Sequence, residues 1–494
     1  EHNEMQSSKQ SSRLYLILTV LMAGAFVAVL NSTLLNIALP SIMGSFGIQA
    51  STAQWLTTGY MLVNGIMIPT SAFLVQKFST RQLFLTAMTL FSLGTIIAGQ
   101  AHVFPLLLGA RMMQASGSAI MMPLLMNVLL TGFPIEKRGQ AMGIFGLVIT
   151  FAPAIGPTLS GWILEHYEWR MLFHLVTPIA LLVLFTGAFL LKKETVRSTL
   201  KLDLFSLVLS SFGFGGLLYG FSSAGSAGWG SLAVIGSLII GVISLTSFII
   251  RQFLLEEPML EFGIFRYPMF ALSQGISMVL NMSMFSAMIL MPIYIQTIRG
   301  ISPFHSGLLM LPGAIVMAIM SPITGRLFDR FGARILAIIG LSLTVLTTFS
   351  FSQLAADTSY AYLVIMYTLR FLGISMVMMP VMTNGLNHIP QHLTPHGTAL
   401  NNTLSQVSGA IGSGLLVTIM TSRTKQHVPE LASQPEAANP EWLQMQAMIE
   451  GINDTFFIAT LLALAALILS FFIKKRRSTT LAVVESVDQE QKYA

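Results

Sequence analysis

The chain has 494 residues, of which 54% are hydrophobic and only 9% are charged. Soluble domains carry about 25% charged residues, so this composition excludes a soluble protein of this length. The net charge of +6 does not indicate a nucleic-acid partner, because the positive residues lie between apolar stretches rather than in one patch. The absence of cysteine excludes thiol nucleophiles, disulfides and thiolate metal sites.

Apolar stretches long enough to cross a bilayer recur from one end of the chain to the other. A lipid environment requires every backbone polar group to be bonded, so each stretch is predicted to be a helix. The predicted fold is therefore an all-α membrane protein with fourteen spans. In chain order these spans are 14–39, 52–74, 83–100, 104–131, 139–163, 171–191, 204–221, 231–250, 268–297, 305–328, 334–354, 360–387, 396–420 and 452–473.

The distribution of positive charge predicts the orientation of these spans. An even number of spans puts both termini on one side, and 20 of the 26 lysines and arginines then fall on that side. Four fall on the opposite side, and Arg111 and Arg370 lie within spans. Cytoplasmic loops carry the excess of Lys and Arg, so both termini are predicted to be cytoplasmic.

The sequence also repeats itself at a nearly constant offset. The segment FLVQKFSTR (73–81) matches RLFDRFGAR (326–334), Arg111 matches Arg370, and AIGP (154–157) matches AIGS (410–413). This repeat predicts two parallel six-helix bundles, 14–191 and 268–473, with two inserted helices at 204–250. The segments 1–13 and 474–494 are the expected cytoplasmic termini. Parallel repeats of this kind are a transporter architecture, with the substrate site between the halves.

Several motifs resemble those of the major facilitator superfamily, and within it the fourteen-helix drug:proton antiporter branch. The Gram-positive lincosamide- and multidrug-resistance exporters look most similar. The motifs are VLNSTLLNIALP (29–40), RMMQASGSA (111–119), APAIGPTLSG (152–161), GRLFDRFGAR (325–334) and HGTALNNTLSQVSGAIG (396–412). The resemblance implies proton-driven efflux of small amphiphilic, drug-like molecules by alternating access, in the plasma membrane of a Gram-positive bacterium. It also implies a monomer with no cofactor and no obligatory adaptor.

Other function classes fit less well. The chain has no HExxH motif, no paired aspartates within a span and no Walker loop, so enzyme and ATP-driven mechanisms are not indicated. Two alternatives on the same scaffold stay open: a lipid or glycolipid flippase, and a dedicated exporter of one metabolite.

The resemblance assigns roles to three groups of residues. The loop residues Asp329, Arg330 and Arg334 would form a cytoplasmic gate, with Arg81 as the remaining cation of a weakened first-half copy. In that copy Gln76 stands where the family has aspartate. A plain topology signal is the alternative.

In the fifth span, Gly156 and Pro157 form the antiporter motif, which would disfavour leak; ordinary close packing of helices is the alternative. An arginine within an apolar span is energetically expensive, and the resemblance gives Arg111, with Gln114, a part in proton coupling. A structural arginine bonded to backbone carbonyls or to Gln114 is the alternative.

The largest departure from the family is Asn31, where many relatives carry an aspartate. No Asp or Glu lies in the middle of any span, so neutral, zwitterionic or weakly anionic substrates are expected. The remaining titratable candidates, each open to a structural reading, are Glu165, His166, His174 and Asp454. The polar residues expected to line the cavity are Asn31, Asn64, Asn281, Asn384 and Asn402.

Overall fold

The computed structural model describes residues 2–48, 50–53, 55–192 and 201–474. The predicted tail lies outside the described residues from position 475 onward. The long helices are α1 (His2–Phe46), α2 (Trp55–Lys77), α3 (Thr80–Gly99), α4 (Phe104–Gly132), α5 (Arg138–His166), α6 (Arg170–Leu190), α7 (Leu204–Ala227), α8 (Leu232–Leu254), α9 (Pro268–Pro292), α10 (Pro303–Phe331), α11 (Ala333–Phe351), α12 (Tyr360–Asn387), α13 (Thr394–Leu431) and α14 (Pro440–Ser470).

The described residues contain no β-strand, so the predicted all-α fold is confirmed. Two of the long helices are interrupted: α2 by a 3₁₀ turn at Ile68–Thr70, and α12 between Ser375 and Met378. A π-helical segment, Ile293–Ile298, extends α9. The remaining short helices are Ala50–Ala53, Ile135–Lys137, Phe262–Arg266, Gln391–Leu393 and Pro435–Ala438.

The number of membrane spans is tested only in part. Thirteen helices in the described residues are long and apolar enough to cross a membrane. Helix α9 is not among the thirteen, although it occupies the position of the ninth predicted span. The count of fourteen therefore stays a prediction, and it depends on α9.

Local sequence sets the helix ends that the structure shows. Ser79 and Gln82 form a capping box at the start of α3, and Asp203 caps α7 by accepting a hydrogen bond from Phe205 N. The segment after position 420 has no early helix breaker, so α13 continues to Leu431 and is longer than predicted. At 38 residues it is about 57 Å long, nearly twice the hydrocarbon thickness of about 30 Å.

The helices pack mainly with neighbours from the same part of the chain. Helix α1 contacts α4, α5 and α6, whereas α9 contacts α12, α13 and α14. The most extensive contact joins α5 to α10, and α7 packs against α8, α2 and α13. The described starts of α1, α3 and α5 lie at one end of the bundle, together with the last residues of α10. The charge bias predicts that this end faces the cytoplasm, so it is called the cytoplasmic end. The predicted domain boundaries stay a prediction.

Candidate functional site

Arg111 is buried in α4 and bonds mainly to the backbone of α1. Its guanidinium donates to Ser32 O at 3.1 Å and to Asn31 O at 3.5 Å, and also to Gln114 Oε1 at 3.3 Å. The guanidinium carbon lies 4.2 Å from the centre of the Tyr60 ring, which is cation–π distance. These contacts fit the structural alternative given above, so the role of Arg111 in proton coupling stays a prediction.

Gln114 extends this network to a third helix. It is fully buried, and its amide nitrogen donates to Thr95 Oγ1 of α3 at 2.8 Å. The second repeat contains a related arrangement, in which Arg370 donates to Ser283 O of α9 at 2.9 Å and to Thr348 Oγ1 of α11 at 3.1 Å. Each buried arginine thus bonds to the helix that opens its own repeat.

Helix α5 lies between α1 and α10. At Gly156 a Cβ atom would meet Thr33 Oγ1 of α1 at 2.1 Å, so only glycine permits this approach. One turn further on, the buried Ser160 donates to Leu34 O of α1 at 2.7 Å. Pro157 lies between these positions within the continuous helix. The antiporter motif therefore forms the contact between α5 and α1, and its effect on leak stays a prediction.

At the cytoplasmic end, Asp329 of α10 binds the start of α5. Its carboxylate accepts from Gly139 N at 3.0 Å and from Gln140 N at 3.1 Å. Free N–H groups and the helix dipole make a helix N-terminus a favourable site for a carboxylate. The backbones are close, because a Cβ atom on Gly139 would lie 2.7 Å from Gly325 O. Asp329 thus joins helices from the two predicted bundles.

The other three predicted gate residues do not take part in this contact. Arg330 and Arg334 are exposed, and the guanidinium of Arg330 lies over the neighbouring Phe331 ring. Arg81 donates to Ala188 O at the end of α6, within the first bundle. In this conformation these three arginines therefore make no described contact across the halves, because their side chains lie at the surface or contact their own bundle, and their role in a gate stays a prediction.

The arginine that does cross between the bundles is Arg138, which the sequence analysis counted only as a topology signal. It is buried at the start of α5 and donates to Asn387 Oδ1 of α12 at 3.1 Å. The gap between α5, α10 and α12, lined in part by Thr324, Met379 and Thr383, has no room for a water molecule. Helices α5, α10 and α12 are therefore in close contact at the cytoplasmic end.

Four of the five asparagines predicted to line the cavity carry a buried amide atom with no hydrogen-bond partner among the described residues. These atoms are Asn31 Nδ2 (α1), Asn64 Oδ1 (α2), Asn281 Nδ2 (α9) and Asn402 Nδ2 (α13). Buried polar atoms are normally bonded, so each has capacity left for a bound molecule or water. The exception is Asn384, which donates to Lys474 O beyond α14. Its contact fits a structural role better than the predicted cavity role.

Acidic side chains are absent from the buried residues that the structure describes. Among the remaining titratable candidates, Glu165, His166 and His174 are exposed. Asp454 accepts from Arg423 at 2.8 Å and lies 2.6 Å from His427 Nε2. This ion pair is at the far end of α13 from the cytoplasmic end, so none of these groups substitutes for an acid inside the bundle.

Several relatives match this chain along nearly its whole length. An MFS-type transporter of Bacillus subtilis, YcnB, is 50% identical over 459 residues, covering 93% of this chain and 95% of the relative. The lincomycin resistance protein LmrB of Bacillus subtilis is 42% identical over 472 residues, covering 95% and 98%.

Similarity to a solved structure supports the fold. The crystal structure of the human organic anion transporter MFSD10 (TETRAN) matches with a TM-score of 0.62 and 12% identity, covering 91% of this chain and 99% of that one. The profile of the Major Facilitator Superfamily matches residues 21–413. The predicted family is thus confirmed: this chain belongs to the Major Facilitator Superfamily and is a multi-pass membrane transporter rather than an enzyme.

Proposed function

We propose that this chain exports small amphiphilic, drug-like molecules in exchange for protons. The observation that carries the proposal is the 42% identity to a lincomycin resistance protein over 95% of this chain. A gradient of protons is the expected energy source, since the sequence contains no Walker loop and does contain the Gly156–Pro157 motif. Arg111 and Gln114 are the residues proposed to take part in coupling.

The polar groups within the bundle suggest the charge of the substrate. Asn31, Asn64, Asn281 and Asn402 offer neutral amide atoms, and the described residues include no buried carboxylate. A permanent cation entering a low-dielectric cavity loses its hydration and would find no anionic partner there. Neutral, zwitterionic or weakly anionic amphiphiles are therefore the proposed substrates.

The contacts at the cytoplasmic end suggest how access alternates. Asp329 of α10 binds the start of α5, and Arg138 of α5 binds Asn387 of α12, so these contacts hold the two bundles together at this end. Substrate would enter from the cytoplasm when these contacts separate, and it would leave on the other side after they form again. Such rigid-body rocking about a fixed central site is a general mode of transport.

The position of α7 favours drug export over lipid transfer. Helix α7 packs against both α2 and α13, and Trp229, just after it, donates to Thr418 Oγ1 of α13 at 2.5 Å. It therefore covers the side of the bundle between α2 and α13, where a lipid would otherwise enter laterally. We propose a monomer without an obligatory adaptor or cofactor, in the plasma membrane of a Gram-positive bacterium, with both termini cytoplasmic.

The test is transport by the purified full chain in proteoliposomes. A lincosamide or a neutral dye should accumulate when the pH gradient is imposed in the exporting direction, and one-for-one exchange allows about tenfold accumulation per pH unit. An uncoupler should abolish the accumulation. Accumulation that ignores the gradient would contradict proton antiport, and transfer of a labelled lipid without transport of the drug would favour the flippase alternative.

A further inference from the structure

The cytoplasmic end contains a further contact between the bundles, centred on His396. This histidine lies in the first turn of α13 and is 7% exposed. Its Nε2 atom is 3.0 Å from the side-chain amide of Gln76, near the end of α2. Its Nδ1 atom accepts a hydrogen bond from Glu261 N, in the segment before α9, at 3.2 Å. One buried imidazole therefore joins three segments.

The bonds of His396 specify which form of its ring fits the site. The backbone N–H of Glu261 can only donate, so Nδ1 must be the unprotonated nitrogen. In the neutral ring the proton is then on Nε2, where it donates to the amide oxygen of Gln76; the two amide atoms of Gln76 exchange places by a rotation of its side chain. A second proton, on Nδ1, would face the N–H of Glu261 and abolish that bond. The contact thus favours the neutral ring, and a hydrogen bond to the Met259 backbone offsets part of that preference.

The charged groups on the surrounding segments do not offset a positive His396. On its own side of the contact, the exposed His392 would repel it when charged. On α2, the Lys77 amine lies over the Phe73 and Phe78 rings at 5.4 and 5.8 Å from their centres. The Glu261 carboxylate, in the segment before α9, already accepts from Gly263 N at 3.1 Å. A protonated ring would therefore be buried without a dedicated anionic partner.

Comparison with the other repeat explains why a glutamine stands at position 76. Gln76 corresponds to Asp329 in the matched segments FLVQKFSTR and RLFDRFGAR. Asp329 binds the start of α5, and Gln76 binds the start of the corresponding helix, α13. An aspartate at position 76 would stabilise a protonated His396 and hold the contact shut. The neutral amide of Gln76 leaves that form of the ring unpaired.

We propose that His396 is a proton-binding group of the transport cycle, whose protonation separates α2 from α13 and opens the cytoplasmic end. The proposal rests on the proposed proton antiport and names a residue through which the proton acts. Opening on proton binding and closing on proton loss is the order that export against proton entry requires.

The absence of cysteine in the chain makes a direct distance measurement possible. Spin labels would be attached at Phe78→Cys, just after α2, and at Gln391→Cys, just before α13, both at exposed positions. The full chain would be held in lipid nanodiscs without substrate or gradient, between pH 8 and pH 5.5. The population with the long, open distance should rise relative to the population with the short, closed distance as the pH falls. For one coupled proton this ratio changes by up to about tenfold per pH unit.

Three variants assign this response to His396. His396→Gln keeps a neutral amide beside Gln76 and should make the ratio independent of pH. The control His392→Gln removes only a repulsion and should keep a clear dependence on pH. Gln76→Glu supplies a carboxylate to the protonated ring, so the rise of its ratio with falling pH should be clearly weaker than in the parent. Three results would each overturn the proposal. They are a ratio independent of pH in the parent protein, an unchanged dependence on pH in His396→Gln, and a dependence in Gln76→Glu equal to that of the parent.

The two proposals fail in different measurements. The distance measurement involves neither substrate nor gradient, so a negative result there leaves proton antiport standing. Gradient-independent accumulation in proteoliposomes would refute antiport even where His396 controls the distance between α2 and α13.

Discussion

The two buried arginines allow a functional role to be distinguished from a structural one. Arg111 and Arg370 are 2% and 3% exposed, and each bonds to a backbone carbonyl of the helix that opens its repeat. Only Arg111 also bonds to the backbone of Asn31, whose amide nitrogen has no partner among the described residues. Arg111 thus positions a proposed substrate-binding residue, and we expect Arg111→Ala to abolish transport.

The loss of folding stability expected in Arg111→Ala sets the scale for this comparison. Interhelical hydrogen bonds in membrane proteins contribute on average about 0.6 kcal/mol and at most about 1.7 kcal/mol. Arg111 makes two such bonds to α1, so its loss should destabilise the protein by about 1 to 3 kcal/mol. Removal of a buried charge offsets part of that loss. The variant should therefore remain folded, and a loss of transport beyond tenfold would not be explained by unfolding.

The assay combines two measurements on each variant. Size-exclusion chromatography of the detergent-solubilised protein reports folding, and drug uptake into inside-out vesicles reports transport. Arg370→Ala, the matched control, should retain most of its transport with a similar loss of stability. Near-normal uptake by Arg111→Ala, or an equal loss of uptake in both variants, would refute the reasoning and leave Arg111 as a structural residue.

Three further predictions concern single sites. Asn31→Asp should shift competition between a dicationic and a neutral substrate toward the dication, because it adds the missing carboxylate; unchanged competition would contradict this. Gly139→Ala should weaken closure and lower uptake, since its methyl would lie 2.3 Å from the Phe328 ring, whereas Gly275→Ala, with open space around it, should not. The hydrogen bond from Arg251 lowers the pKa of Asp203 to about 2, so this contact should stabilise the protein above about pH 4 and be lost as the pH falls toward 2. The thermal unfolding temperatures of the parent and of Asp203→Asn should therefore differ at pH 7 and become equal as the pH falls toward 2. A difference that does not change with pH would refute the assignment.

The comparison of sequence and structure separates two kinds of prediction. The all-α membrane fold and the helix positions followed from sequence, because the length of an apolar run and the chemistry of a cap are local properties. Helix ends outside the bilayer were less predictable. The polar part of α13 has low hydropathy and was not predicted, and the helix continues there because no proline or glycine lies between position 420 and Pro429, near its end at Leu431.

Local sequence patterns could not predict which residues far apart in the chain contact each other. The matched segments singled out Asp329 and the departure at Gln76, but they gave no reason to pair Gln76 with His396, 320 residues away. The start of α13, which corresponds to the start of α5 in the repeat, was the available signal. The sequence by itself determined what kind of helices these are and which membrane side their charges favour. Only the tertiary structure decided that Arg138, rather than Arg330 or Arg334, crosses between the bundles, because a side chain's partner depends on which helix packs against it.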